Sequence, residues 1–242
     1  MRLNSPQSSF KRDPEDRFGL ALLDYFKGDY SGPLLLHNTY GPPEELPVDG
    51  YFYPPDELPE FDVFALSCCC GSVLDVGAAA GRHALALAEA GMEVTAMDIS
   101  GYCCDIMIEK KISNVVQANI FQYSGASFDT VLMLMNGIGL VGDLDGYRLL
   151  LDRMQSIVKP GGRIIFDSSD ISYLFPGKTK QDKSYYGIMD YSYEYKSSQG
   201  AWFQWLYIDQ LMAGRLALDI GWRTDIIYED ETDTYLAMLR RA

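Results

Sequence analysis

Residues 72–91 read SVLDVGAAAGRHALALAEAG, and this stretch decides the fold. Val73, Leu74 and Val76 form a short apolar run rich in β-branched residues, which is typical of a strand buried on both faces. Residues 77–81 are all glycine or alanine, and a helical pattern follows them. The first amide hydrogens of such a helix are unpaired and its dipole is positive there, so this turn predicts a site for an anionic group.

The second strand of this unit, residues 93–98 (EVTAMD), ends in an acid. Asp98 follows Gly77 by about 20 residues, the offset at which a βαβ nucleotide site places a carboxylate on ribose hydroxyls. The dinucleotide fingerprint G-x-G-x-x-G would also require glycine at positions 79 and 82, where the chain has Ala79 and Arg82. These two replacements argue against NAD.

The same stretch resembles the class I S-adenosylmethionine-dependent methyltransferases, whose first motif runs acid-x-G-x-G-x-G. Asp75, Gly77, Ala79 and Gly81 occupy the motif positions, with the middle glycine replaced by alanine. The resemblance implies an α/β fold with a seven-stranded, mostly parallel, doubly wound sheet whose last strand is antiparallel. It also implies S-adenosyl-L-methionine as the cofactor.

The resemblance places the cofactor at the carboxyl ends of the parallel strands, where open α/β sheets bind their ligands. The backbone of residues 77–81 would hold the aminoacyl part, and Asp75 would brace this loop or reach the ammonium. Asp98 would accept two hydrogen bonds from the ribose. Further along, Ile99 and Ile120 would sandwich the adenine ring.

Two asparagines end the third and fourth strands. Asn119 stands where the family commonly has an aspartate facing the adenine amine, and we favour this role over that of a strand-end turn former. Asn136 and its neighbour Met135 should lie by the sulfonium, although Asn136 with Gly137 could also form a plain turn. The residues expected to bind the cofactor are therefore Asp75, Gly77, Ala78, Ala79, Gly81, Asp98, Ile99, Asn119, Ile120, Met135 and Asn136.

The sequence identifies no catalytic residue. Methyl transfer is an in-line displacement that needs a base only if the acceptor must lose a proton. His83, two residues after the glycine turn, is expected to be a packed or capping histidine. The candidate bases lie elsewhere, and the sequence does not choose among them: His37, Tyr40, Tyr51 and Tyr53.

We divide the chain into an N-terminal helix and substrate-cap segment, residues 1–58, and a methyltransferase core, residues 59–242. The core carries an inserted β-hairpin region, residues 171–210, dense in aromatic residues. Residues 28–58 and 185–207 are both extra to a minimal core. We expect them to close over the methyl end of the cofactor and to choose the acceptor.

Hydrophobic periodicity and turn residues predict the remaining elements. Predicted helices span residues 14–27, 59–70, 101–111, 143–158 and 211–220. Predicted strands span residues 115–119, 128–135, 163–167, 191–195, 202–207, 222–228 and 234–240, with turns at 159–162 and 197–200.

Composition limits the partners. The formal net charge is −14, and Lys and Arg occur only in short clusters, so nucleic acid is a poor substrate candidate. Five cysteines, an odd number grouped in adjacent positions, make a poor disulfide framework and predict neither zinc nor another metal. With no long apolar run and no apolar leader, we expect a cytoplasmic protein without membrane partners. The oligomeric state is not readable.

The sequence thus predicts a methyltransferase acting on a small, uncharged or cationic molecule. Two alternatives stay open: an aminopropyl transferase on the same fold, and a regulatory protein that binds the cofactor without catalysis.

Overall fold

The computed structural model describes residues 10–175 and 185–242. Its strands are β1 (Leu35–Asn38), β2 (Glu44–Glu45), β3 (Ser72–Val76), β4 (Glu93–Asp98), β5 (Asn114–Gln117), β6 (Phe128–Met133), β7 (Val158–Ser169), β8 (Ile188–Tyr195), β9 (Ser198–Gln199), β10 (Phe203–Leu206), β11 (Trp222–Glu229) and β12 (Thr234–Arg241). Its helices are α1 (Arg17–Phe26), α2 (Glu60–Ser67), α3 (Arg82–Glu89), α4 (Gly101–Glu109), α5 (Leu144–Ile157) and α6 (Gln210–Asp219).

The main sheet has seven strands in the order β11-β12-β7-β6-β3-β4-β5. Strands β3 to β7 are parallel to one another, whereas β12 pairs antiparallel with both β7 and β11. This is the predicted fold class. The strand order reverses beside β3, because β4 lies on one side of it and β6 on the other. Such a switch point opens a crevice at the carboxyl ends of the strands.

Helices cover both faces of the main sheet. Alternate side chains of β3 therefore pack into two different cores. Leu74 and Val76 pack on the face that α5 and α6 cover, through residues such as Tyr147. Val73 packs on the opposite face, against α2, α3 and α4. A parallel strand buried on both sides needs the continuous apolar run that residues 73–76 supply, apart from Asp75.

A second sheet, which we call the roof sheet, consists of β1, β2, β8, β9 and β10 in the order β10-β8-β1-β2, with β9 also on β8. Here β1, from the N-terminal segment, pairs antiparallel with β8, from the inserted region. The two segments that the sequence presented as separate additions therefore belong to one sheet. Residues 176–184 of the predicted insertion lie outside the described residues.

Several predicted boundaries shift in the structure. The strand predicted for residues 128–135 ends at Met133, because Met135 and Asn136 adopt positive φ angles of 64° and 54°. The turn predicted at residues 159–162 does end α5, but these residues then run inside β7, which is irregular in its pairing with β6. The hairpin turn predicted at residues 197–200 lies earlier, at Lys196 and Ser197, which have positive φ.

The other boundaries agree to within a few residues. Capping side chains explain where the helices begin, since Asp16, Ser100, Asp143 and Asp209 each accept a hydrogen bond from the first turn of the helix that follows. Among the described residues, no helix has the length and apolar character needed to cross a bilayer.

Candidate functional site

A cleft of about 1150 Å³ lies over the carboxyl ends of β3, β4 and β6. Its floor includes the loop after β3 and the residues that follow β4 and β6. Its opposite wall includes Tyr193 of β8 and Trp205 of β10, from the roof sheet. The cleft is thus enclosed between the switch point of the main sheet and an aromatic face.

The loop after β3 presents backbone to this cleft. Gly77, Ala78 and Ala79 line it, and Gly77 has a φ of +71°. Ala79 also has a positive φ, of 50°, which is costly for a residue with a Cβ and is natural for the glycine that the family motif carries there. Gly81 differs from the expectation. It is not among the lining residues, and a Cβ on it would lie 2.5 Å from Ile112 Cδ1, so glycine is needed there for packing.

Asp98 lies at the end of β4 and lines the cleft, although it is only 8% exposed. Its Oδ2 accepts the amide of Ala79 at 2.8 Å, and its Oδ1 accepts the amide of Ser100 at 2.8 Å. Burial raises the pKa of Asp98 to about 6, while these two amides act in the opposite direction. Each carboxylate oxygen keeps a further lone pair for a ligand.

The residues predicted to hold the adenine also line the cleft. Ile99 is 69% exposed, which is unusual for a large apolar side chain, whereas Ile120 is buried. Asn119 has the turn-forming role that the sequence left open, because its Oδ1 accepts the amide of Phe121 at 2.9 Å. That oxygen can still accept a second bond.

Of the two residues after β6 that were predicted to bind the cofactor, only one lines the cleft. Met135 lines the cleft. Asn136 does not, since its Oδ1 accepts the hydroxyl of Ser169 at 3.1 Å and so ties the β6 end to the β7 end. Both residues have left-handed backbone.

Asp75 lies below the cleft rather than in its lining. It is 2% exposed, its Oδ2 has no hydrogen-bond partner among the described residues, and burial raises its pKa. Arg82 and His83 of α3, which do line the cleft, act on this pKa in the opposite direction. Both pair with the buried carboxylate of Asp62 on α2, the His83 Nε2 at 2.8 Å.

Arg82 and His83 are thus site residues that the sequence analysis did not include. Arg82 also donates to the carbonyl of Gly50 at 2.6 Å, which joins the N-terminal segment to the start of α3, directly after the loop that follows β3. A buried Arg needs a carboxylate partner. The sequence, however, shows neither that Arg82 is buried nor that Asp62 is its partner.

The N-terminal segment before α1 also contributes residues that sequence reasoning missed. Lys11 exchanges backbone bonds with the Gln117 side chain, at 2.8 and 2.6 Å. Asp16 accepts the hydroxyl of Ser100 and the amide of Gly19. These contacts bring residues 11–18 across the turn between β4 and α4, so that they line the cleft beside Asp98.

Of the four candidate bases, only Tyr51 lines the cleft. Burial raises the pKa of Tyr51 to about 12. His37 instead pairs with Glu194 across the roof sheet at 2.7 Å, and Tyr40 is an exposed residue that bonds Glu44. Tyr53 packs its ring beside the Arg82 guanidinium.

Comparison with known proteins identifies the family to which this fold belongs. The model of a methyltransferase domain family matches residues 73–162. A solved S-adenosylmethionine-dependent methyltransferase from Bacteroides fragilis, in complex with S-adenosyl-L-homocysteine, is 36% identical with a TM-score of 0.89, and the match covers 98% of this chain and 100% of that one. The chain belongs to the S-adenosylmethionine-dependent methyltransferases.

Two curated methyltransferases are also similar to this one. The cypemycin N-terminal methyltransferase of a Streptomyces species is 32% identical over 103 residues, which are 41% of this chain and 42% of the relative. The glycine N-methyltransferase of Rattus norvegicus is 27% identical over 140 residues, 48% of each chain. The chain therefore spans less than half the length of the curated relatives it matches.

The lining of this methyltransferase fits S-adenosylmethionine. A positive-φ loop exposes backbone, a buried carboxylate keeps free lone pairs, and Ile99 presents an apolar face beside it. Ala78 and Ala79 would hold the aminoacyl part, Asp98 the ribose, and Ile99 with Ile120 the adenine.

Proposed function

We propose that this chain transfers the methyl group of S-adenosylmethionine to a small-molecule acceptor. The acceptor is held between the roof sheet and residues 77–81, the loop after β3, which we call the cofactor loop. The observation that carries this proposal is the unit formed by Ala79 and Asp98 at the switch point, facing an aromatic wall across a cleft of about 1150 Å³. When bound, the cofactor supplies an electrophilic methyl group on a sulfonium.

The chain's own contribution would be to bind and align. Asp98 orients the ribose, Met135 lies at the end of β6 where the reacting centre is expected, and the roof sheet excludes water. Alignment and exclusion of water can together supply about 7–11 kcal/mol of the barrier for well-oriented reactants. No nucleophile on the protein is required.

We also propose roles for the two parts of the chain. We assign residues 59–242 to the methyltransferase core and residues 1–58, with the inserted region, to the acceptor cap. All five cysteines are unpaired. This pattern favours a reducing compartment, and we therefore place the protein in the cytoplasm, with a small molecule rather than nucleic acid as its substrate.

The test is thermal unfolding with S-adenosyl-L-homocysteine, followed by turnover of methyl-labelled cofactor against a metabolite pool. At about a hundredfold excess over its dissociation constant, the ligand should stabilise the fold by about 2.7 kcal/mol. Asp98→Ala should lose most of this shift, whereas Asp225→Ala, in an exposed ion pair on β11, should keep it. Stabilisation by NADH in place of S-adenosyl-L-homocysteine would contradict the assignment.

A further inference from the structure

Five aromatic rings that line the cleft form a continuous chain. Phe18 contacts Tyr51 and Tyr193, each at a centroid distance of 5.2 Å. Tyr193 contacts Phe203 at 5.0 Å, and Phe203 contacts Trp205 at 6.2 Å. All five rings belong to the cleft wall. The five rings therefore form a continuous run of neighbours along the cleft wall.

These rings come from four elements, among them the 3-10 turn Asp49–Phe52 that carries Tyr51, and are held in place by backbone structure. Phe18 is on α1, Tyr193 is on β8, and Phe203 pairs in register with Tyr191 across β10 and β8. Trp205 lies so close to the 3-10 turn after β6 that a Cβ on Gly139 would lie 2.0 Å from its Nε1. The wall is preorganised, which lowers the entropic cost of using it for binding.

Two of the cations around this wall have carboxylate partners, and a third has only part of its hydrogen bonds satisfied. Arg12 pairs with Asp105 at 2.6 Å and Arg82 pairs with Asp62. Arg17, which precedes Phe18, donates to the Pro14 carbonyl at 2.9 Å and to Glu15 at 3.4 Å. Its Nε is buried with no partner in the described part of the chain, so it is a group that an anion could satisfy.

Other charges at the rim do not favour an anion. Lys11 is exposed and its backbone is fixed to Gln117, beside Ile99 on the adenosine side. Asp13, Glu15 and Asp16 also line the cleft, and the whole chain carries a formal charge of −14. The four basic residues of the lining balance its four acidic ones, so a cationic group in front of the rings would meet negative ring faces in a cleft that is locally balanced within an acidic protein.

We infer that the acceptor is an amine, and that the ring chain of Phe18, Tyr51, Tyr193, Phe203 and Trp205 binds its cationic, methylated nitrogen. This inference rests on the proposed function and names its substrate class. Ammonium groups bind over ring faces within about 6 Å of the centroid, and exposed acids beyond them add a longer-range attraction.

Methyl transfer to a neutral amine needs no base on the protein. The lone pair of a neutral amine forms the N–C bond while the C–S bond breaks and its electron pair stays on sulfur. The positive charge moves from sulfur to nitrogen, and the new ammonium later releases one proton to solvent. Because the charge stays positive throughout, one set of ring faces attracts both the sulfonium reactant and the ammonium product.

Three probes of nearly the same shape test the charge preference: choline, its neutral isostere 3,3-dimethylbutan-1-ol, and the anion 3,3-dimethylbutanoate. Each is titrated into protein saturated with S-adenosyl-L-homocysteine while tryptophan emission is followed, since Trp202 and Trp205 line the cleft. We expect choline to bind about tenfold more tightly than either other probe, a gain within the range of stacked cation–ring contacts.

Single substitutions test whether the preference for choline depends on the ring chain. Phe203→Leu and Tyr193→Leu should reduce it to about twofold or less, the remainder that general acidity supplies. Tyr30→Leu, an exposed ring that contacts Tyr25 away from the cleft, should leave it unchanged. Circular dichroism checks that each variant is folded.

Equal binding of the three probes, tightest binding of the carboxylate, or no binding of choline would each overturn the inference. Saturation with S-adenosyl-L-homocysteine is measured first by thermal shift. A failure there contradicts the proposed function, whereas a normal thermal shift with no preference for choline contradicts the amine assignment alone.

Discussion

The backbone amide of Ala79 donates to Oδ2 of Asp98 at 2.8 Å, so the loop after β3 and the acid after β4 form one hydrogen-bonded unit. The contact fixes a positive-φ alanine and a buried carboxylate together. It also means that the protonation state of Asp98 affects both the cofactor loop and the ribose position.

Cofactor affinity should therefore depend on pH. Burial raises the pKa of Asp98 to about 6, and the ionised form is the one that accepts bonds from ribose hydroxyls and from Ala79. Affinity for S-adenosyl-L-homocysteine should be full above about pH 7 and should fall by up to about tenfold per pH unit below 6. Calorimetric titration between pH 5 and 8 measures it.

The free energy of unfolding should depend on pH in the opposite direction. A carboxyl whose folded pKa lies above its unfolded value binds more protons when folded, so its contribution to the free energy of unfolding decreases as pH rises from about 4 to about 6. Asp98→Asn should remove part of this slope. Burial also raises the pKa of Asp75, and that of Asp167 to about 6, so a residual slope in that variant belongs to these two carboxyls. An unchanged slope in Asp98→Asn would contradict the assignment.

The buried pair of Asp62 and Arg82 should be important for stability. Asp62→Ala leaves a guanidinium that is 6% exposed without its carboxylate, and breaking a buried pair in this way typically costs about 3–5 kcal/mol. Urea unfolding measures the loss. The matched control is Asp145→Ala, which removes the exposed i,i+3 pair with Arg148 and should cost less than about 1 kcal/mol. Equal losses in the two variants would show that Arg82 finds another partner.

Gly139 should not tolerate a side chain. In Gly139→Ala the added Cβ would lie 2.0 Å from Trp205 Nε1, so the indole must move or the turn must shift. Such overpacking costs about 1–3 kcal/mol and should shift tryptophan emission. Gly214→Ala on α6 is the control, because nothing lies within 4 Å of its Cβ position and alanine favours a helix. Identical unfolding curves for the wild type and Gly139→Ala would contradict this packing.

The buried Cys103 and Cys104 and the half-buried Cys69 should react slowly and need no metal. Burial raises the pKa of Cys69 and of Cys104 to about 12, and that of Cys103 well above its ordinary value. At pH 8, iodoacetamide should therefore label these three thiols at least about a hundredfold more slowly than free cysteine, as mass spectrometry can show. Chelator should leave the melting temperature unchanged, since no metal-ligating cluster occurs in the described ranges. Stoichiometric zinc in purified protein would contradict this.

The main sheet could be predicted from the sequence because its signals are local. The run from Val73 to Val76, the strand ending at Asp98 and the turn before Arg163 each carry their own apolar pattern and their own punctuation. The pairing of β3 with β4 and β6 then follows from the known topology of the resembling family.

The roof sheet and parts of the site could not be predicted, because they depend on contacts between distant residues. Nothing in Leu35–Asn38 indicates that it pairs with Tyr191–Glu194. The polar residues around Lys11 give no periodic signal, and the predicted helix 14–27 does not indicate that Asp16 contacts Ser100, yet Gln117 and Ser100 hold this stretch at the cleft. The left-handed backbone at Asn136 was also unforeseen.

The pairing of Leu35–Asn38 with β8 also has a consequence for how the chain acquires its structure during synthesis. Its partner strand is about 150 residues away, so β1 has no sheet to join until most of the chain has left the ribosome. Closing so large a loop is slow relative to forming the βα units of the main sheet, which involve near neighbours. The cofactor loop should therefore form before its aromatic cover, and S-adenosylmethionine could already bind to the nascent main sheet and stabilise it while the roof sheet is still assembling.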